Sequence, residues 1–300
     1  MAADVIEGIA ALRQRLSDAQ RSGATIGFVP TMGALHAGHA RLIERARTEC
    51  GCVVVSIFVN PLQFDREDDL ARYPRTFEAD RGLCGSLGVD VIFSPGVAEM
   101  YPVPAACTID VGRLGDHLCG RFRPGHFRGV ATVVMKLLQI VRPHTAYFGE
   151  KDAQQLAIVR RLVTDFNVPV TIAGVPTVRE PDGLALSSRN QRLSPEERVL
   201  APVLYGALRA ASSSIAAGVS ETARIRRDAV ARIPDDPAVR LEYLEIVDSA
   251  EIQPVERVSG EVLVAGALWV GGTRLIDNIR CAGASGPGRD GPPFLETQPS

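Results

Sequence analysis

The sequence predicts an α/β fold, a parallel-sheet domain followed by a smaller α+β domain with an antiparallel sheet. Three observations carry this. Up to residue 175, β-branched apolar runs alternate with stretches at helical spacing, as parallel strands joined by right-handed crossovers require. A glycine-punctuated loop follows the first strand and opens directly into a helix, the phosphate-binding arrangement of Rossmann-like sheets. Residues 176–192 then break the alternation, and helices followed by three strand-like runs complete the second unit. The expected boundaries are 1–177 for the Rossmann-like domain and 178–281 for the second. A Gly/Pro/Ser tail over 282–300 is expected to be disordered.

Composition narrows the function classes. The 300 residues are 46% hydrophobic and 23% charged, enough for a sizeable core. A net charge of −2 argues against general affinity for nucleic acid or an anionic membrane. The six cysteines are scattered without a repeating spacing and read as reduced thiols of a cytoplasmic protein. No basic segment precedes an apolar one at the N-terminus, and no apolar run reaches membrane-spanning length.

Taken in order, Asp4 and Glu7 fit a capping box, and Val5, Ile9, Leu12 and Leu16 recur at helical spacing after it. Residues 25–29 form the first strand, which breaks at Pro30. The loop that follows places Gly33 and Gly38 around His36, and Leu42, Ile43 and Ala46 define the next helix. Residues 52–58 are a strand buried on both faces, ending in Asn60 and Gln63, polar groups where open α/β sheets place ligands. The same residues read equally well as an Asn–Pro turn. Residues 65–70 are acidic and read as a mobile surface loop, and a helix with Phe77, Leu83 and Leu87 follows. The strand at 89–93 leads into a Pro/Gly-rich segment at 94–128, too long to lack local structure or function. Arg121, Arg123 and His126 make it an anion-site candidate or a solvated loop. Residues 129–141 are a buried helix. A strand at 146–148 runs through Gly149, Glu150, Lys151 and Asp152 into another helix, which puts Lys151 at a strand end beside a helix start. The last strand of the parallel sheet is 168–175. Ser194, Pro195 and Glu197 mark a helix start. Two helices reach about Gly218 and then 220–233, with strands over 241–247, 261–270 and 274–279.

The chemistry concentrates at residues 27–45. A helix N-terminus offers unpaired N–H groups and positive potential, and glycines admit a ligand to the backbone. His36 and His39 add donors for phosphoryl oxygens. Zinc is a poor fit, because the pair is not at i, i+4 and no Cys or Glu completes a site.

The tetrapeptide HAGH (36–39) resembles the HxGH signature of adenylyl-transfer enzymes. The longer PTMGALHAGH (30–39) resembles the pantoate–β-alanine ligase family. Further family-like motifs occur in order: SIFVNPLQF (56–64), YPRT (73–76), RPGHF (123–127), GEKD (149–152) with Gln154 and Gln155, and VREPDGLALSSRN (178–190). RLIDN (274–278) is the clearest mark in the last third. The resemblance implies condensation of pantoate and β-alanine with ATP through a pantoyl adenylate, releasing AMP and pyrophosphate. It implies that His36 and His39 contact the phosphates, His39 being the usual proton donor. Lys151 holds the departing phosphates, and Ser187, Ser188 and Arg189 close over them. The nucleotide is surrounded by Met32, Gly33, Ala34, Leu35, Ala37, Gly38, Gly149, Glu150, Asp152, Val178 and Leu186. Gln63 and Gln155 hydrogen-bond pantoate, with Asn60 and Met32 close by. Mg²⁺ bridges phosphates with few protein ligands, Asp80 being the family-like candidate. A homodimer is implied. Leu186, Ala153 and Ala79 depart from the residues common there, namely Met, Tyr and a second Asp. Two other readings stand beside this one. An adenylyltransferase acting on a phosphate ester would share HxGH but lack the paired Gln63 and Gln155. A non-catalytic nucleotide-binding protein could use the same fold.

Overall fold

The computed structural model describes residues 3–65 and 67–283. Its first part runs β1 (Asp4–Ile6), α1 (Ile9–Arg21), β2 (Ile26–Thr31), α2 (Ala37–Glu49), β3 (Cys52–Ile57), α3 (Glu67–Ala71), α4 (Phe77–Ser86) and β4 (Val91–Phe93). It continues through α5 (Val97–Met100), α6 (Leu118–Phe122), α7 (His126–Val141), β5 (Thr145–Gly149), α8 (Ala153–Asp165) and β6 (Thr171–Val175). Helices α9 (Pro195–Leu200), α10 (Val203–Ala216) and α11 (Thr222–Val230) precede β7 (Val239–Asp248), β8 (Glu261–Val270) and β9 (Thr273–Ala282).

The first six strands form one parallel sheet in the order β1-β4-β3-β2-β5-β6. From β2 the chain moves outward one way through β3 and β4, and later the other way through β5 and β6. The reversal between β2 and β5 opens a crevice at their carboxyl ends. Side chains alternate across the sheet. Phe28, Val54, Ala146 and Phe148 face α1, α7 and α8, whereas Val29, Val53, Val55 and Tyr147 face α2 and α4.

Strands β7, β8 and β9 form an antiparallel sheet. One face, with Leu244, Val264 and Leu268, packs on α10 and α11. The other face presents Tyr243, Leu263, Ala265 and Ala267 to the hydrophobic cluster of α7 and α8. The two sheets therefore share a core across the sequence break near residue 178.

Several local expectations are corrected. Asp4 and Glu7 form no capping box: residues 4–6 are a strand paired with β4, and α1 starts after Gly8 with no side-chain cap. Three residues cannot display a period, and the partner strand lies over eighty residues away. Strand β2 also does not stop at Pro30. Phe58 N–H donates to the Thr31 carbonyl and Cys52 N–H to that of Thr25, so odd-numbered residues of β2 bond β3 and Pro30 points toward β5. Pairing with β5 ends at Phe28, so the missing proline N–H breaks no rung. Residues 65–70 are not a plain loop: α3 begins at Glu67, Asp65 pairs with Arg123, and Asp69 lies 3.6 Å from Arg189 and 3.5 Å from Arg192. The helical region expected as two pieces is three, because the chain turns at Ala201–Pro202. The stretch Pro195–Ala216, taken as one helical run through that turn, is long and apolar enough by composition to cross a membrane. Its apolar residues Leu204, Leu208, Ala211 and Ile215 pack instead on the second sheet. The expected boundary of the tail shifts, since β9 extends to Ala282; residues 284–300 lie outside the described part.

Candidate active site

The loop after β2 is built from inside. Thr31 Oγ1 donates to the Ser56 carbonyl at 2.7 Å and accepts from Gly33 N–H at 3.2 Å. Gly33 turns the chain at φ +83°, and a Cβ there would sit 3.0 Å from Asp80 Oδ2. The buried Asp80 carboxylate accepts N–H groups of Ala34 and Leu35 at 2.9 and 2.8 Å, and Thr76 donates to it at 3.2 Å. The oxygens of Asp80, the family-like metal candidate, thus face the underside of the loop and accept three protein donors. Among the described residues no group of three or more His, Cys, Asp or Glu side chains could hold a metal ion.

His36 caps α2, where its Nδ1 accepts Gly38 N–H at 3.1 Å. His39 Nδ1 accepts His36 N–H in return at 3.3 Å. Backbone donors at both Nδ1 atoms leave the proton on both Nε2 atoms. The rings lie 4.2 Å apart between centroids. Burial and the charge of Lys151 lower His36 to about 4. Burial, then His36 and Lys151, lower His39 to about 3. At neutral pH the pair is therefore two uncharged N–H donors at a helix N-terminus.

The end of β3 supplies the other wall. Asn60 is buried, and its amide is fully engaged. Its Nδ2 donates to Gln63 Oε1 at 3.1 Å and to the Gly129 carbonyl at 3.2 Å. Its Oδ1 accepts from Tyr101 Oη at 2.9 Å and Leu62 N–H at 3.3 Å. Asn60 thus orients Gln63, whose Nε2 faces Met32 Sδ at 3.0 Å. Helix α7 approaches this turn so closely that a Cβ on Gly129 would lie 2.1 Å from the Leu62 carbonyl oxygen. The RPGHF cluster braces the same turn. Arg123 bonds Asp65 at 3.1 Å and lies 3.2 Å from His126 Nε2, while His126 Nδ1 lies 2.7 Å from the Gln63 carbonyl. Because arginine can only donate, His126 accepts at Nε2 and donates from Nδ1. Burial and Arg123 lower its pKa to about 4. The bonds from Arg123 to Asp65 and from His126 to the Gln63 carbonyl join residues more than fifty positions apart, so this bracing carries no local signal in the sequence.

One cavity of about 250 Å³ at the β2–β5 crevice gathers Met32, His36, Gly38, His39, Asn60 and Gln63 on one side. Gly149, Lys151, Asp152 and Gln155 line the end of β5, and Val178, Leu186, Ser187, Ser188 and Arg189 cover it. Gly33, Ala34, Leu35 and Ala37 form the loop and first turn behind this wall, and Glu150 likewise does not line it. Ser187 caps the short turn Ser188–Arg192, its Oγ accepting Arg189 N–H at 3.2 Å. A second cavity of about 300 Å³ between the two sheets shares Lys151, Asp152, Gln155, Ser187 and Arg189 with the first.

The family model described as pantoate-beta-alanine ligase matches residues 4–280. A pantothenate synthetase of Heliobacterium modesticaldum is 53% identical over 275 residues, covering 92% of this chain and 98% of that protein. The crystal structure of pantothenate synthetase from Thermus thermophilus superposes with a TM-score of 0.85 at 49% identity, covering 92% and 98% of the two chains. The pantoate-beta-alanine ligase from Francisella tularensis, a crystal structure complexed with beta-gamma ATP and beta-alanine, gives a TM-score of 0.77 at 35% identity. That match covers 93% and 97% of the two chains. Most of the family-like motifs lie around this crevice, RLIDN lines the adjoining cavity, and the match runs nearly end to end through the described residues. This chain belongs to the pantoate–β-alanine ligase family.

Proposed function

We propose the route by which this ligase joins pantoate to β-alanine. Magnesium, when bound, would offset the charge of the ATP phosphates, with Asp80, already accepting three protein donors, left to shape the loop. The adenine side lies along Gly149, Val178 and Leu186, and the phosphates cross the N-terminus of α2. Gln63, held by Asn60, and Gln155 orient pantoate so that a carboxylate oxygen attacks the α-phosphorus. The P–O bond to the β-phosphate breaks, and pyrophosphate leaves against Lys151, Ser187, Ser188 and Arg189. The Nε2–H groups of His36 and His39 donate to phosphoryl oxygens as charge moves onto them. In the second step the β-alanine amine attacks the acyl carbon of pantoyl adenylate. The amide forms, the amine gives up a proton, and AMP departs.

The observation that supports this most directly is the reciprocal capping of His36 and His39. It turns two neutral N–H donors toward the cavity that also holds Lys151 and the two glutamines. Pyrophosphate release from ATP, measured with pantoate in the presence and absence of β-alanine, tests the route. Single-turnover release with pantoate alone, and sustained AMP formation only with both substrates, is the expected result. Pyrophosphate that appears only when β-alanine is present would refute a free-standing adenylation step. Residues 178–281 serve here as a second domain packed over the phosphate end. Homodimeric assembly and a cytoplasmic location follow from the family resemblance, and light scattering of the purified protein checks the former.

A further inference from the structure

Asp277 and Asn278 are buried neighbours on β9, in the second sheet, and Asn278 reaches residues of the first domain. Asn278 Nδ2 donates to the carbonyls of Glu150 and Lys151 at 2.9 and 2.8 Å. Both amide hydrogens are thereby used, which fixes the carboxamide. The two carbonyls belong to the 3₁₀ turn Glu150–Asp152 that joins β5 to α8 and carries the Lys151 side chain. Asp277 takes both arms of the Arg179 guanidinium, at 2.6 and 2.9 Å. Arg179 also donates to the Gly183 carbonyl at 3.0 Å and lies 4.0 Å over the Tyr205 ring. It is the first rung of a small hairpin, bridged to Ala185 and closed by Leu186 N–H on the Val178 carbonyl at 3.0 Å. The next residues are Ser187, Ser188 and Arg189.

Two adjacent side chains on one strand therefore hold the backbone of the Lys151 turn and the stem of the Ser187–Arg189 loop. Leu263 and Ala265 supply apolar contacts between the second sheet and the first domain. The polar pair adds registration of two separate segments against one rigid strand. We infer that Asp277 and Asn278 are positioning residues for phosphate handling, setting Lys151 and Arg189 at a fixed separation across the pyrophosphate. This rests on the phosphate roles proposed for Lys151 and Arg189. Asp277 and Asn278 line the cavity between the sheets and not the one holding Gln63, and the segments they bond are those of Lys151 and Ser187–Arg189, so their influence falls on the ATP side before pantoate. A displacement of about 1 Å in a charged group of this kind lowers rates on the order of a hundredfold.

A double-mutant cycle tests the inference. Single-turnover pyrophosphate release and the KM values for ATP and pantoate are measured for Asn278→Ala, Lys151→Ala and the double variant. Asn278→Ala should raise the ATP KM or lower the adenylation rate by about tenfold or more, with the pantoate KM within about twofold of wild type. In the Lys151→Ala background the same change should add less than about twofold. Additive effects, equal effects on the two substrates, or an unperturbed Asn278→Ala would each overturn the inference. Asn278→Asp keeps the volume of the side chain but removes both donors. Should the alanine variant melt early, a folded Asn278→Asp with normal ATP KM is equally fatal. A Lys151→Ala variant that turns over like wild type sinks the phosphate reading itself. An impaired Lys151→Ala beside a silent Asn278→Ala sinks only the positioning role.

Discussion

Each histidine of the HAGH motif does two jobs with two nitrogens, and substitutions can separate them. In His39, Nδ1 accepts the His36 N–H while Nε2 carries the proton that faces the cavity. Asparagine places its oxygen near the Nδ1 position and glutamine places its amide nitrogen near Nε2. His39→Asn should keep the helix cap and melting temperature but lose about 10²–10³-fold in single-turnover adenylation, as removal of one transition-state donor does. His39→Gln should retain more of the rate and lose more of the cap. The opposite ranking would remove Nε2 from the chemistry. Asn60 illustrates a different kind of residue. Its amide has no free donor, yet it fixes the rotamer of Gln63. Asn60→Ala should raise the pantoate KM by about tenfold through a slack Gln63, and should cost about 1–3 kcal/mol because the Gly129 carbonyl and the Tyr101 hydroxyl lose their partner. Denaturant melts paired with KM values for both substrates check this, and an ATP KM raised equally would contradict the geometry.

At the level of elements, the loop between β2 and α2 depends on α4 for its shape. Asp80 on α4 accepts the Ala34 and Leu35 amides, and Ala34 adopts φ +50°. Asp80→Ala would bury two N–H groups without acceptors, a loss of about 2–6 kcal/mol on the usual scale of roughly one to three per group. It should raise the ATP KM by loosening the α2 N-terminus, yet leave the magnesium concentration for half-maximal rate at saturating ATP unchanged. A shifted magnesium dependence would restore Asp80 as a metal ligand. This residue marks the limit of sequence reading. The strand–glycine–helix order of residues 26–49 is legible because each signal lies within a few positions of the structure it makes. The hydrogen bonds that Asp80 accepts from Ala34 and Leu35 come from partners over forty residues away, so no local signal in the sequence announces them. Strand β1 is hidden for the same reason, since Asp4–Ile6 pairs with Val91–Phe93 and competes with a plausible local cap. The helix starting at Pro195 is readable because Ser194 and Glu197 cap it reciprocally within four residues. Gly129 carries no such local signal, although its hydrogen is what lets α7 reach the Pro61–Gln63 turn.

Over the whole molecule, the two sheets share one hydrophobic cluster, so the stability of the site cannot be separated from that of the fold. That link makes a prediction in pH. Burial is the leading cause that lowers His36 and His126 to about 4 and His39 to about 3, against an ordinary value of 6.5. Between those values the unfolded chain binds protons that the folded chain does not. Stability is therefore complete above about pH 6.5 and falls as the pH drops toward about 4 and then about 3. At pH 5 each imidazole held neutral costs on the order of 2 kcal/mol relative to pH 7, an upper figure for a site that water can still enter. Melting temperature measured from pH 7.5 to 5 should decline steadily, and the decline should be shallower in His126→Gln, which removes a bracing imidazole outside the HAGH motif. Polyphosphate binding reverses part of the trend, because negative charge beside His36 and His39 favours their protonated forms. An ATP analogue should then stabilise the protein more at pH 5.5 than at pH 7.5. An equal shift at both values would mean that the two imidazoles do not face the phosphates.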